Sequence, residues 1–119
     1  MQGGSSSYFE NITISCVSSS NDTELLWLNG GKFVNSKIIR DACEPSIYAE
    51  NCILSGVRVQ DNIGYAHVDA RNNTTITGCR GLSISIKQNV SGVIAANNSD
   101  TVIYNASTLT NGIYNNITS

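Results

Sequence analysis

The sequence predicts an all-β fold, a sandwich or barrel around one core, and three observations carry that expectation. Apolar residues alternate with polar ones at period two, and no segment carries the 3.6-residue period of a helix. Turn-forming clusters of Gly, Asn, Asp and Ser recur at about ten-residue spacing, the rhythm of short strands. Asn, Ser, Thr, Ile, Val and Gly are abundant while only 13% of residues are charged. β-branched residues suit strands, and Asn, Ser and Gly suit turns.

The elements follow in chain order. Ile12, Ile14 and Cys16 fall on one face of a strand over 12–17, and the Ser-rich stretch Ser18–Asp22 reads as a turn. Leu25–Leu28 is a short apolar strand closed by Asn29-Gly30-Gly31, a hairpin signal. Phe33-Val34 and Ile38-Ile39 form short strands either side of Asn35-Ser36-Lys37. Asp41–Asn51 holds the single Pro and reads as an irregular loop clipped by Cys43 and Cys52. Ile53–Val59 alternates imperfectly, Asp61–Gly64 is a corner, and Tyr65–Val68 and Thr74–Thr77 are strands. Leu82, Ile84 and Ile86 point inward from a strand of clean period two. Residues 89–119 carry one charge, Asp100, and recurrent Ile and Val clusters, so they read as further strands. A mucin-like stalk would be richer in Pro and poorer in Ile and Val, and a flexible glycosylated tail is the lesser alternative.

A chain of 119 residues allows one domain. The net charge of -2, with no Lys/Arg cluster, leaves no electrostatic footprint for nucleic acid or an anionic membrane. No apolar run reaches the length of a membrane span, and Met1–Ser7 lacks the apolar region of a signal peptide, so an exported form would have lost its signal before this numbering begins.

Asn-x-Ser/Thr triplets begin at Asn11, Asn21, Asn72, Asn73, Asn89, Asn97, Asn105 and Asn116. They point to N-glycosylation and an extracellular location, with chance occurrence in an Asn-rich chain as the plainer explanation. Cys16, Cys43, Cys52 and Cys79 follow a symmetric long-short-long spacing and form no Cys-x-x-Cys pair. Zinc and redox motifs are therefore disfavoured, and two disulfides are expected, with three possible connectivities. The symmetric spacing suggests a duplication, but 16–43 and 52–79 share almost nothing beyond their cysteines.

Over residues 8–88 the chain resembles an immunoglobulin-like domain. Ile12-Thr13-Ile14-Ser15-Cys16 precedes Trp27 at the spacing that separates the family's strand-B Cys from its core Trp. Leu54, Val57, Asp61 and Tyr65 match the family's Leu-x-x-Val-x-x-x-Asp and the Tyr of its corner. The resemblance implies an antiparallel sandwich over 1–88 with two disulfides and extra C-terminal strands from 89–119, in which Trp27, Leu54 and Val57 fill the core, Asp61 caps a turn and Tyr65 fixes the next strand. The family's second Cys position is His67 here, so Cys16–Cys79 and Cys43–Cys52 become the favoured pairs, with sequential pairing as the rival. An unrelated β-sandwich with a core Trp is the alternative. Glycosylated viral or cell-surface proteins that bind receptors share this pattern.

His67, the sole histidine, lacks a nucleophile motif or a second ligand nearby in sequence and fits a structural role at the core margin. The acidic residues have neither calcium-loop nor glycosidase spacing. No catalytic, cofactor or metal residue is therefore expected. The sequence favours a non-enzymatic, N-glycosylated surface protein acting through protein contact. The alternative is a structural subunit of an extracellular filament, pilus or virion surface, joined to identical subunits by β-strand addition.

Overall fold

Alternation along a strand buries one face and solvates the other, and it leaves open which strand lies alongside. The computed structural model describes residues 2–4, 7–16, 22–40, 44–60 and 64–118, with the backbone alone at 16, 22–25, 40 and 44. In it the chain winds as a β-solenoid. The first coil contributes β1 (Gln2–Gly3), β2 (Tyr8–Glu10) and β3 (Thr13–Cys16). The second contributes β4 (Asp22–Asn29), β5 (Lys32–Val34) and β6 (Lys37–Arg40), and the third β7 (Glu44–Glu50), β8 (Ile53–Ser55) and β9 (Arg58–Gln60). Later coils carry two strands each: β10 (Ala66–Ala70) and β11 (Thr75–Thr77), β12 (Leu82–Ile86) and β13 (Ile94–Ala96), β14 (Val102–Asn105) and β15 (Ile113–Tyr114).

Each strand pairs with its counterpart one coil away, and every pairing among the described strands is parallel. Sheet A stacks β1-β4-β7-β10-β12-β14, sheet B stacks β2-β5-β8-β11-β13-β15, and sheet C stacks β3-β6-β9. Sheet C continues only as single bridges from Arg58 to Arg80 and from Arg80 to Ser99.

The core is built of columns. Leu26, Ile47, Val68, Ile84 and Ile103 stack inside sheet A, and Phe9, Phe33, Leu54, Ile76, Ala95 and Ile113 inside sheet B. Ile14, Ile38 and Val59 form the third column. The step between neighbours in the sheet B column is longer in sequence at the start of the chain, from Phe9 to Phe33, than at its end, from Ala95 to Ile113. The column holds its largest fully buried side chain, Phe33, in an early coil and its smallest, Ala95, in a later one, with Ile113 closing it in the last.

Coils stay in register because their corners coincide. Asn11, Asn35, Gly56, Gly78, Asn97 and Asn115 end the six strands of sheet B, and all have positive φ, between 48° and 64°. Only Gly, and next Asn or Asp, reaches this region cheaply. A second ladder of the same kind, Gly30, Asn51, Asn73 and Gly92, turns the chain from sheet A into sheet B. Asn29-Gly30-Gly31 is thus a corner between two sheets and not the hairpin its composition suggests.

The antiparallel immunoglobulin-like sandwich is overturned, since no described strand pair is antiparallel. Trp27 does not fill a core: it is 45% exposed on the outer face of sheet A. Leu54 and Val57 are fully buried, but in the solenoid interior. Asp61 lies outside the described residues, and Tyr65 is half-buried just ahead of β10. The segment expected to be an irregular loop holds β7, in which Pro45 is buried and which pairs with β4 on one side and β10 on the other. Neither favoured disulfide forms, because Cys52 and Cys79 are both free buried thiols; Cys43 and the Cys16 side chain lie outside the described residues.

The corner ladder gives a direct test at Gly56. A Cβ there would sit 2.5 Å from Asn35 Oδ1, and φ is +64°. Gly56→Ala is expected to lower unfolding free energy by about 1–3 kcal/mol in urea titrations. Asn35→Gly should cost less than about 1 kcal/mol and recover part of the Gly56→Ala loss in the double variant. Full additivity of the two changes would show that the corners do not pack on one another.

Candidate functional site

Register decides which outward side chains become neighbours. On sheet A, Gln2 pairs with Trp27, Trp27 with Tyr48, Tyr48 with Asp69, Asp69 with Ser85 and Ser85 with Tyr104. These residues form one outward column, about 4.8 Å apart per step. Trp27 and Tyr48 meet edge to face, with ring centroids 5.5 Å apart. The Arg71 guanidinium lies over the Tyr48 ring at 5.2 Å. It also donates from Nε and Nη2 to the two carboxylate oxygens of Asp69, at 3.0 and 2.9 Å. Lys87 Nζ approaches the same carboxylate at 3.8 Å, and the Tyr48 hydroxyl donates to Glu50 Oε1 at 3.2 Å.

These contacts set the electrostatics of the cluster. The hydrogen bonds to Asp69 hold the Arg71 guanidinium above its ordinary pKa, against the smaller effect of burial. Burial raises the Tyr48 phenol, and its bond to Glu50 raises it further. The formal charges of the cluster balance, Glu50 and Asp69 against Arg71 and Lys87. A bidentate Arg–carboxylate pair backed by an aromatic ring is a rigid planar surface. Two grooves flank it: one of ≈ 170 Å³ beside Trp27, formed with Gln2, Gly3 and Asn29, and one of ≈ 300 Å³ bounded by Glu50, Arg71, Lys87 and Gln88 among others.

The triplet asparagines occupy defined structural positions. Asn11, Asn73 and Asn97 are corner residues with positive φ. Asn73 Nδ2 donates to Asn51 Oδ1 at 3.2 Å, and Asn51 Nδ2 to Asn29 Oδ1 at 3.3 Å, a ladder of amides along one corner. Asn72 Oδ1 accepts from the Ser91 amide, and Asn105 Nδ2 donates to the Leu109 carbonyl. Asn116 points into the solenoid beside Asn98, where its Nδ2 donates to the Ala95 carbonyl and its Oδ1 accepts from Asn98 Nδ2, both at 2.8 Å. Buried Asn98 also donates to the Ile76 carbonyl and accepts from the Cys79 amide. Asn89 is exposed and Asn21 lies outside the described residues.

His67 faces solvent on sheet A between Ser46 and Ser83, and not the core margin as expected. Among the described residues no group of three His, Cys, Asp or Glu is placed to hold a metal. Cys52 and Cys79 lie inside, each next to a different corner of the coil. Tyr48, Asp69 and Arg71 do not stand out as a group in the sequence, because only the pairing of one coil with the next brings them together. The Tyr-x-Glu and Asp-x-Arg pairs at matching coil positions were the one available signal. No known protein family, curated protein or solved structure matches the chain.

The interior polar groups can be tested by substitution and by pH. Asn98→Ala takes the acceptor from the Cys79 amide and removes the side-chain bonds to the Ile76 carbonyl and to Asn116, and should cost about 2–4 kcal/mol in urea unfolding; a loss below about 1 kcal/mol would show that the ladder is replaceable. Burial pushes both thiols from 9.0 up to about 11. The unfolded chain then releases thiol protons near pH 9 while the folded chain keeps them. Stability attributable to the thiols is thus complete below pH about 9 and is lost as pH rises towards about 11. Urea midpoints should fall over that window, and less so in a Cys52→Ala/Cys79→Ala variant, while iodoacetamide at pH about 8 should modify neither thiol until the protein unfolds.

Proposed function

We propose that this β-solenoid is a non-enzymatic scaffold of a surface protein that recognises a macromolecular partner through the outer face of sheet A. One observation carries the proposal: Trp27, the sole tryptophan, is held half-exposed on that face in a fixed edge contact with Tyr48. Exposing an indole forgoes hydrophobic stabilisation that the interior offers, and aromatic residues with a polar edge are the usual anchors of contact surfaces. The Asp69–Arg71 pair next to it is already ordered, so binding there costs little side-chain entropy.

An extracellular location belongs to the same proposal and rests on the acceptor triplets. Of these, Asn11 and Asn89 are exposed and carry no structural role beyond the corner at Asn11. The Asn116 amide is committed inside the coil. Expression through a eukaryotic secretory pathway, followed by peptide mapping, should therefore find glycan at Asn11 or Asn89 and none at Asn116. Glycan at Asn116 in the folded protein would contradict this arrangement.

The alternative of subunits joined by strand addition places the contact on sheet edges instead, beside β14 and β15, where Tyr104, Tyr114 and Ile117 are exposed. Trp27→Ala separates the two. The recognition proposal expects this variant to unfold within about 1 kcal/mol of the parent, as for a surface residue. It also expects parent and variant alike to sediment as a single non-associating species. A loss of about 3–5 kcal/mol would make Trp27 a packing residue. Self-association unchanged by the substitution would place the contact on the strand edges; either result sinks the proposal.

A further inference from the structure

Building on that recognition face, the geometry points to a neutral oligosaccharide as its ligand, lying along the solenoid axis from Gln2 past Trp27 and Tyr48 to Arg71 and Lys87. The charges along this track cancel, Glu50 and Asp69 against Arg71 and Lys87. Nothing there favours a polyanion such as nucleic acid, whose binding is driven by uncompensated Lys and Arg. An extended peptide is recognised by adding a strand to a free sheet edge or by seating side chains in pockets. From Trp27 to Lys87 this face is the middle of a sheet with strands paired on both sides, only Gln2 lying on the edge strand β1, and its grooves are open to solvent.

A sugar ring asks for something different: an apolar C–H face to lie on an aromatic ring, and hydroxyls that both donate and accept at its rim. Trp27 offers the ring. Arg71 covers the Tyr48 ring, which is only partly exposed, whereas the indole of Trp27 is 45% exposed and is the more open of the two rings. Carboxylate acceptors and guanidinium and ammonium donors stand within three rungs of it, on Glu50, Asp69, Arg71 and Lys87, with the amide of Gln88 beyond. The rung spacing of about 4.8 Å approximates the length of one pyranose unit, so successive sugars of a linear chain meet successive rungs. Four steps from Gln2 to Lys87 span about 19 Å, room for three or four sugars.

The lone Trp27 makes the test direct. The full chain is titrated with cellohexaose, maltohexaose, chitohexaose and a galacturonate hexamer, following tryptophan emission and, in parallel, heat. The proposal expects saturable binding of at least one neutral hexamer with a shift in emission. Its disaccharide should bind at least about tenfold more weakly, and Trp27→Ala should abolish the heat signal. Arg71→Ala should weaken binding by about tenfold, the worth of a good hydrogen-bonding contact. Absence of binding by every neutral hexamer, tighter binding of the galacturonate hexamer, or heat unchanged in Trp27→Ala overturns it. The two levels fail differently. Absent sugar binding with a Trp27→Ala variant as stable as the parent removes the saccharide alone, whereas a strongly destabilised variant removes the recognition face itself.

Discussion

The structure depends on one constraint: the chain must turn at the same place in every coil. A parallel strand is paired by the strand one full coil away, so a corner displaced by one residue would move every following side chain to the wrong face. Asn11, Asn35, Gly56, Gly78, Asn97 and Asn115 meet this demand on one edge of sheet B, and Gly30, Asn51, Asn73 and Gly92 on the other. Each of these residues tolerates the left-handed conformation, and several of the asparagines also bond from coil to coil. The amide ladder Asn29–Asn51–Asn73 and the Asn97–Asn115 contact show the same residue type serving both purposes.

Aligned corners in turn produce aligned columns, inside and out. Inside, apolar side chain sits on apolar side chain, from Phe33 through Leu54 and Ile76 to Ala95. Polar groups enter the interior where the ladder can satisfy them, as at Ser36, Thr74 and Asn98, and among the described residues no buried side-chain nitrogen or oxygen lacks a partner. Outside, register assembles Trp27, Tyr48, Asp69 and Arg71 from three coils into one rigid surface. The proposed recognition role thus rests on the same stacking that holds the molecule together.

Much of the local structure was legible. Thr13–Cys16, Leu25–Leu28, Phe33-Val34, Ile38-Ile39, Thr75–Thr77 and Leu82–Ile86 are all strands, and Leu82, Ile84 and Ile86 point inward as their alternation requires. What failed was the partner of each strand. A parallel sheet usually has both faces covered and reads as continuous apolar runs, whereas a solenoid solvates one face and so shows the alternation associated with antiparallel sheets. Closely spaced turns mark the corners of a coil as readily as they mark hairpins. The repeat is hard to see because coil length contracts along the chain and few side chains recur from one coil to the next. The cysteine spacing suggested a longer period, which straddles the coils.

The density of Asn-x-Ser/Thr triplets shows most plainly where sequence and tertiary structure divide the work. By itself the sequence determined an all-β chain of low charge, rich in residues that turn and residues that extend, because those preferences are local. It also held the corner residues in plain view, the Asn and Gly that close each short apolar run. Tertiary structure alone decided that these corners stack, that Cys52 and Cys79 are separate buried thiols, and that Trp27 stands in solvent beside Tyr48. The reason is physical: strand direction and neighbours are fixed by hydrogen bonds between strands a whole coil apart, and alternation along one strand is the same whichever strand lies beside it.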